Sequence, residues 1–308
     1  MKLRTTLLVL VVYLALGPSP LESQIRGVYP LGMSATNSGI TPAAGFSYVN
    51  QLLFYSRDQS KGPGGELLAT GQQSVLMDMN TLVWVSRKKY FGDAKFSMSA
   101  TIPVATNSLE SDVAGHIGGG GGLADSYYQP FILGWEKEHA AFRAVYGFLA
   151  PTGTFEVGAD DNVGSGYWTH AFSSGQTFFL TADKATVISA FQMYEIHTNQ
   201  EGTGIHPGGT LSLDYSVTHT LPIATNVRFQ FGAVGYSQWQ TTAKTGPATS
   251  GITAAASEAR YRVHSLGFTS NFVFPSKNAS LGFKYFSEFG GRSTYEGYSA
   301  QVSGSIRF

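Results

Sequence analysis

The feature that most limits this chain is period-two alternation, sustained over long segments and repeated to the end of the sequence. Tyr298, Ala300, Val302, Gly304, Ile306 and Phe308 alternate with Ser299, Gln301, Ser303, Ser305 and Arg307. Ala94, Phe96, Met98, Ala100, Ile102 and Val104 share one face of another segment. Leu211, Leu213, Tyr215 and Val217 stand opposite Ser212, Asp214, Ser216 and Thr218, and Phe142, Ala144, Tyr146 and Phe148 flank Arg143. Successive side chains on a strand point to opposite faces, so each segment carries one apolar and one polar side. Twelve strands are expected, at 43–56, 74–89, 94–105, 124–136, 139–150, 166–181, 185–197, 209–221, 226–241, 259–275, 279–290 and 296–308. They reach about 12–16 residues, against about 5–6 for strands of ordinary soluble sheets. The alternation slips in 74–89, from Val75, Met77 and Met79 to Leu82 and Trp84, and in 259–275, from Tyr261 and Val263 to Leu266 and Phe268. A bulge at each place would move the apolar set by one residue. Segment 185–197 barely alternates.

The connections have a rhythm of their own. Long ones (57–73, 106–123, 151–165, 198–208, 242–258) are separated by short ones (90–93, 137–138, 182–184, 222–225, 276–278), and the last, 291–295, is brief. The short ones carry turn chemistry, as in Gly92-Asp93, Asp183-Lys184 and Pro275-Ser276-Lys277-Asn278. Outer-membrane barrels combine short periplasmic turns, longer outer loops, an even strand number and apolar-out, polar-in strands. Both ends of the chain would then lie on the periplasmic side. Aromatic residues near strand ends, such as Tyr48, Trp84, Trp135, Trp168 and Trp239, suit the interfacial girdles. The expected fold is therefore all-β, a transmembrane antiparallel up-and-down β-barrel of about twelve strands.

Composition removes the alternatives. Only 13% of the 308 residues are charged, roughly half the usual share, and 37 are Gly. Net charge is zero, which leaves no electrostatic footprint for nucleic acid. The sequence contains no Cys, so disulfides, thiolate metal sites and cysteine nucleophiles are excluded. Lys2 and Arg4 precede a ten-residue apolar run from Leu7 to Leu16 that Gly17, Pro18 and Pro20 break. That run is too short to cross a bilayer and reads as a signal peptide over 1–23, cut after Ser23. Residues 24–42 form a non-periodic N-terminal segment ahead of a barrel at 43–308. The apolar Ile25, Val28, Tyr29, Leu31 and Met33 suit a plug folded into the lumen better than a free periplasmic tail.

Short motifs run the length of this frame in a distinctive order. Val28-Tyr29-Pro30-Leu31-Gly32 is followed by Tyr48-Val49-Asn50 and Tyr55, then Pro151-Thr152-Gly153 and Asn162-Val163-Gly164-Ser165-Gly166-Tyr167-Trp168. Later come Tyr194-Glu195, Asn199, Gly208-Gly209, Leu211-Ser212-Leu213-Asp214-Tyr215, Gly235-Tyr236-Ser237-Gln238, Leu281-Gly282-Phe283-Lys284-Tyr285-Phe286-Ser287-Glu288-Phe289 and Glu296-Gly297. Over about 28–308 the chain resembles the MetA-pathway of phenol degradation family of outer-membrane barrels. The resemblance implies a transporter in the bacterial outer membrane that passes small hydrophobic or aromatic compounds.

Charges inside strands are expected to point inward, because a lipid-facing Arg or Lys costs about 2–4 kcal/mol at the midplane. Lys95, Arg143, Glu195, Asp214, Arg228, Lys284, Glu288 and Arg307 are the lumen-lining candidates. They would either brace the barrel through pairs such as Lys284–Asp214 and Arg143–Glu288 or form a selectivity ring. Two other classes of function stay open: a barrel hydrolase using His197 and a serine on a neighbouring strand, and a structural barrel without an open path. Asp160-Asp161 and the glycine run at 118–122 read as loop tips. No catalytic residue, metal or cofactor is expected. The expected partners are the lipid bilayer and lipopolysaccharide, a small hydrophobic or aromatic solute, and the barrel-assembly machinery through the C-terminal strand ending in Phe308.

Overall fold

The computed structural model describes residues 26–113, 115–246 and 260–308. The expected signal segment at 1–23 lies outside the described residues. Among the described residues, strands β1 (Gly45–Lys61), β2 (Leu67–Tyr90), β3 (Ala94–Ser111), β4 (Gly115–Gly118), β5 (Gly121–Leu123), β6 (Ser126–Glu136) and β7 (Ala140–Ala150) come first. Then follow β8 (Thr169–Phe179), β9 (Thr186–His197), β10 (Thr210–Ala224), β11 (Val227–Gln240), β12 (Arg262–Phe274), β13 (Ala279–Arg292) and β14 (Thr294–Arg307). β4 and β5 are short and pair back onto β3. The other twelve close into one antiparallel barrel, in which β3 meets β6 and β1 meets β14. Closure leaves no free strand edge, as a backbone surrounded by hydrocarbon requires.

The two faces follow the alternation. Phe131, Phe172, Leu266, Phe268 and Val302 are exposed on the outside, whereas Ser189, Asp214, Ser212 and Gln238 are fully buried inside. Connections at the rim carrying Gly45 and Phe308 are tight, and several use left-handed backbone at Phe91, Asp93, Lys184 and Asn278. In the 180–185 turn the Asp183 carboxylate accepts from Thr181 Oγ1 (2.6 Å) and Ala185 N (3.0 Å). Those bonds hold it below the usual carboxylate range.

The opposite rim departs from expectation. Residues 57–73 are not a long loop: β1 and β2 continue as a ladder through Ser60↔Ala69 and Lys61↔Leu67 and turn only at 62–66. Connection 291–295 shrinks to Ser293, at φ 50°. Above the bilayer both faces of a hairpin meet water, so its Ser, Gln, Thr and Gly residues carry no apolar stripe to reveal them.

The expected bulges inside β2 and β12 do not form. Register between β2 and β3 is unbroken from Gly71↔Ser111 to Val85↔Ser97, and between β11 and β12 from Arg228↔Val273 to Trp239↔Arg262. The shifts that do occur lie away from those places, between Val85 and Lys89 near the end of β2, in its outer ladder with β1, and between Arg262 and His264 at the start of β12. Val75 and Met79 are buried and face inward, while Leu76 and Leu82 face lipid. The slips in alternation come from apolar residues on the inner wall.

The same register puts Asp78 and Asn80 on the outer face, against the expectation that strand charges point inward. Asp78 pairs across with Leu52 and Val104, both exposed. Its carboxylate accepts from Asn50 Nδ2 at 2.5 Å, and Asn80 accepts from the Tyr48 hydroxyl at 2.5 Å. A local hydrogen-bonded cluster takes the place of water there.

Candidate functional site

The lumen is occupied on one side. Residues 26–41 lie inside the barrel as a chain of turns, closed by Met33 N to Pro30 O (3.3 Å), Ala35 N to Gly32 O (3.3 Å) and Ile40 N to Asn37 O (2.9 Å). Gly32 adopts φ +80°, and a Cβ there would run into the Phe286 ring. The segment is close to β6 at Thr41 and Gly134 near the tight-turn rim, and it reaches Thr294 and Tyr295 of β14 at Arg26.

Inward strand side chains hold this segment mainly by its backbone. Asp214 of β10 accepts from Tyr29 OH (2.6 Å), Gly32 N (3.0 Å) and Ser34 N (3.2 Å). Glu195 of β9 accepts from Tyr29 N (2.9 Å) and from the Thr210 hydroxyl. Lys284 of β13 donates to Gly32 O (3.0 Å) and Met33 O (2.6 Å), and Arg143 of β7 donates to Ser38 O (2.6 Å). Ser216 Oγ reaches Ala35 O at 2.7 Å and Gln301 Nε2 reaches Leu31 O at 2.8 Å. Glu288 takes Arg26 Nη1 at 2.6 Å and Nη2 at 3.3 Å, together with Tyr236 OH at 2.9 Å and Gly297 N at 3.0 Å. Beneath these bonds Tyr29, Leu31 and Ala35 pack on Phe191, Met193, Tyr236 and Phe286.

Five of the sequence-based candidates, Arg143, Glu195, Asp214, Lys284 and Glu288, are therefore brought together around one segment. The other three are not. Arg307 Nη2 donates to Asn278 Oδ1 (2.5 Å) at the tight-turn rim. Arg228 is exposed, and Lys95 lies across from Gly134. Neither expected brace is an ion pair among the described residues: Glu288 binds Arg26, and Asp214 and Lys284 each bind the inner segment. Sequence reasoning missed Arg26, the one charge in an otherwise apolar and small-residue stretch from 25 to 42. His197 Nδ1 meets the Thr169 hydroxyl at 2.8 Å rather than a serine, and Asn199 engages His206 at 3.0 Å.

Among the described residues, those that hold the segment come from β7 to β14 and the chain just before β12. The opposite wall, β1 to β3, leaves a gap. A cavity of about 720 Å³ lies there, floored by Leu53, Val75, Met77 and Met79 and faced by Leu31 and Met33 of the inner segment. Outer-loop residues Phe155, Asn162, Ile205 and Lys244 border its upper part. The wall is apolar at those four positions of β1 and β2 and polar on either side of them, at Gln51, Gln73 and Thr81.

A closed twelve-stranded barrel with an apolar outer belt and tight turns at one rim defines a bacterial outer-membrane β-barrel. Residues 56–303 match the family described as "Putative MetA-pathway of phenol degradation", and the chain belongs to it. The COG4313 outer membrane channel from Pseudomonas putida F1 is similar in structure, with TM-score 0.73 at 11% identity, covering 89% of this chain and 98% of that one. The β domain of the Bordetella autotransporter BrkA is similar at TM-score 0.53 and 11% identity, covering 86% and 100%. No curated protein matches the chain in sequence.

Proposed function

We propose that this chain is an outer-membrane channel through which small hydrophobic or aromatic compounds diffuse, passing between the inner segment and the β1–β3 wall. The observation that carries this reading is the apolar inner face at Leu53, Val75, Met77 and Met79. Small-molecule sites are concave and mostly apolar with a few placed polar groups, and a cavity of about 720 Å³ is of the size that holds one aromatic ring with substituents. Methionine suits such a wall because its thioether adapts to ring edges. Residues 26–41 act in this reading as a plug that narrows the lumen. The structural similarity to the COG4313 outer membrane channel agrees with this, and so does the family's association with phenol degradation.

The test is uptake by intact cells, in which lipopolysaccharide slows apolar solutes. Cells producing the protein should accumulate radiolabelled toluene faster than cells lacking it, and Met77→Trp should return the rate to background by filling the gap. Equal rates with and without the protein would overturn the reading.

A further inference from the structure

The cavity is not uniformly apolar, and its polar corner is unbalanced. Arg57 of β1 borders it, with its guanidinium carbon 3.9 Å from the centroid of the Tyr55 ring. Among the described residues its ion-pair partner is Glu288, at 3.8 Å from Nε to Oε2. Both Glu288 oxygens are already engaged, Oε1 by Arg26 and Tyr236 and Oε2 by Arg26 and Gly297 N. Two guanidiniums thus share one carboxylate, and both border the cavity. Among the described residues Arg57 Nε is buried without a hydrogen-bond partner, as is Oγ of Ser299, which also borders the cavity. Nη1 makes only a long contact of 3.5 Å to Gln73 Oε1.

The other carboxylates on the cavity wall do not complete the set. Glu195 is held by Tyr29 N and Thr210, and Asp125 by Gly153 N and by both N and Oγ of Ser165. Among the described residues no ion pair joins either of them to Arg57. A planar guanidinium with free N–H groups matches a carboxylate in geometry as well as charge. Stacking over Tyr55 keeps the group in place at little conformational cost. Below it lie the apolar side chains of Leu53, Val75 and Met77.

From this arrangement we infer that the channel selects aromatic carboxylates, with the carboxylate on Arg57 and the ring on the apolar wall. This rests on the channel reading above and narrows its substrate class. The probes are benzoate and its neutral counterpart benzyl alcohol, titrated calorimetrically into detergent-solubilised full-length protein at pH 8. Benzoate should bind at least about tenfold more tightly than benzyl alcohol, as expected for a hydrogen-bonded charge. Arg57→Gln should remove that advantage while leaving benzyl alcohol within about twofold, and Arg57→Lys should restore part of it. A heat-modifiable gel band for each variant establishes that the barrel is closed. Benzyl alcohol binding as tightly as benzoate, or benzoate binding unchanged in Arg57→Gln, would overturn the inference and leave the channel reading standing. Absence of binding by both probes would count against the channel reading itself.

Discussion

Asp214 shows how one side chain can fix a length of chain. It sits in the first third of β10, fully buried, and takes three donors from residues 29–34. Replacing it with Ala strands the Tyr29 hydroxyl and the Gly32 N–H, at about 1–3 kcal/mol for each buried donor left unpaired, while Ser34 N keeps the Tyr29 oxygen. None of those bonds belongs to the β-ladder. Asp214→Ala should therefore leave the thermal unfolding of the barrel nearly unchanged and increase open-channel noise in planar bilayers. Traces indistinguishable from those of the parent would show that Asp214 does not fix the segment. Gly32 is a second such position. A valine there meets the Phe286 ring and must hold φ near +80°, which costs an L-residue about 1–2 kcal/mol. Faster hydrogen exchange over residues 26–41 is the expected result for Gly32→Val. Asp78 is the reverse case, an acid facing lipid. Replacing Asp78 and Asn50 together by Leu should stabilise the barrel in lipid by about 1 kcal/mol, read from urea unfolding in vesicles. A loss of stability would show that their hydrogen bond outweighs the cost of polarity.

At the scale of the element, strands were legible wherever one face met lipid and the other met polar groups. β7, β10 and β14 are of that kind, and their expected spans agree closely with the observed ones. The pattern blurs in β2, β9 and β12, where the inner face is apolar as well. Met77 and Met79 line the cavity, Phe191 and Met193 pack on the inner segment, and Val263 joins the same core. An apolar inner face on a barrel strand is thus a mark of something lying against it, a plug or a solute, and bulges are the wrong explanation. The hidden part of the site was Arg26 and the backbone of residues 29–39. Backbone groups have no sequence signature, so the side chains that bind them read only as lumen charges. The β1–β2 hairpin gives a prediction of its own. Its outer part is a ladder whose Leu67 and Leu68 are exposed and add nothing to the core, so shortening it by removing 60–68 and closing 59 to 69 with Asn-Gly should leave barrel stability unchanged. A large loss of heat-modifiability would show that the extension supports the wall.

For the whole molecule, the decisive division is between a filled side and an open side of one lumen. A twelve-stranded barrel lies between eight-stranded barrels packed solid with side chains and wide porins. Here the difference is made up by sixteen residues of the chain's own N-terminal part, held against β7 to β14. Deleting 26–40 should raise single-channel conductance several-fold and weaken discrimination among solutes. Unchanged conductance would mean that the segment does not limit flow. Net charge of zero over the whole chain conceals local imbalance, since positive charge gathers at the Arg26–Glu288–Arg57 corner.

The placement of the inner segment also bears on the order in which this molecule can be assembled. The first and last strands form the seam of the cylinder, zipped from Ser47↔Arg307 to Lys61↔Thr294. Among the described residues, every barrel side chain that binds residues 26–39 through a hydrogen bond belongs to the late part of the chain, from Arg143 onward. If the seam shut early, sixteen residues would have to be threaded lengthwise into a finished tube. If the curved sheet from β7 to β14 receives the segment first, β1 follows it into position and nothing needs threading. The segment then serves as a template across which the late strands are gathered, and the seam is the last joint made.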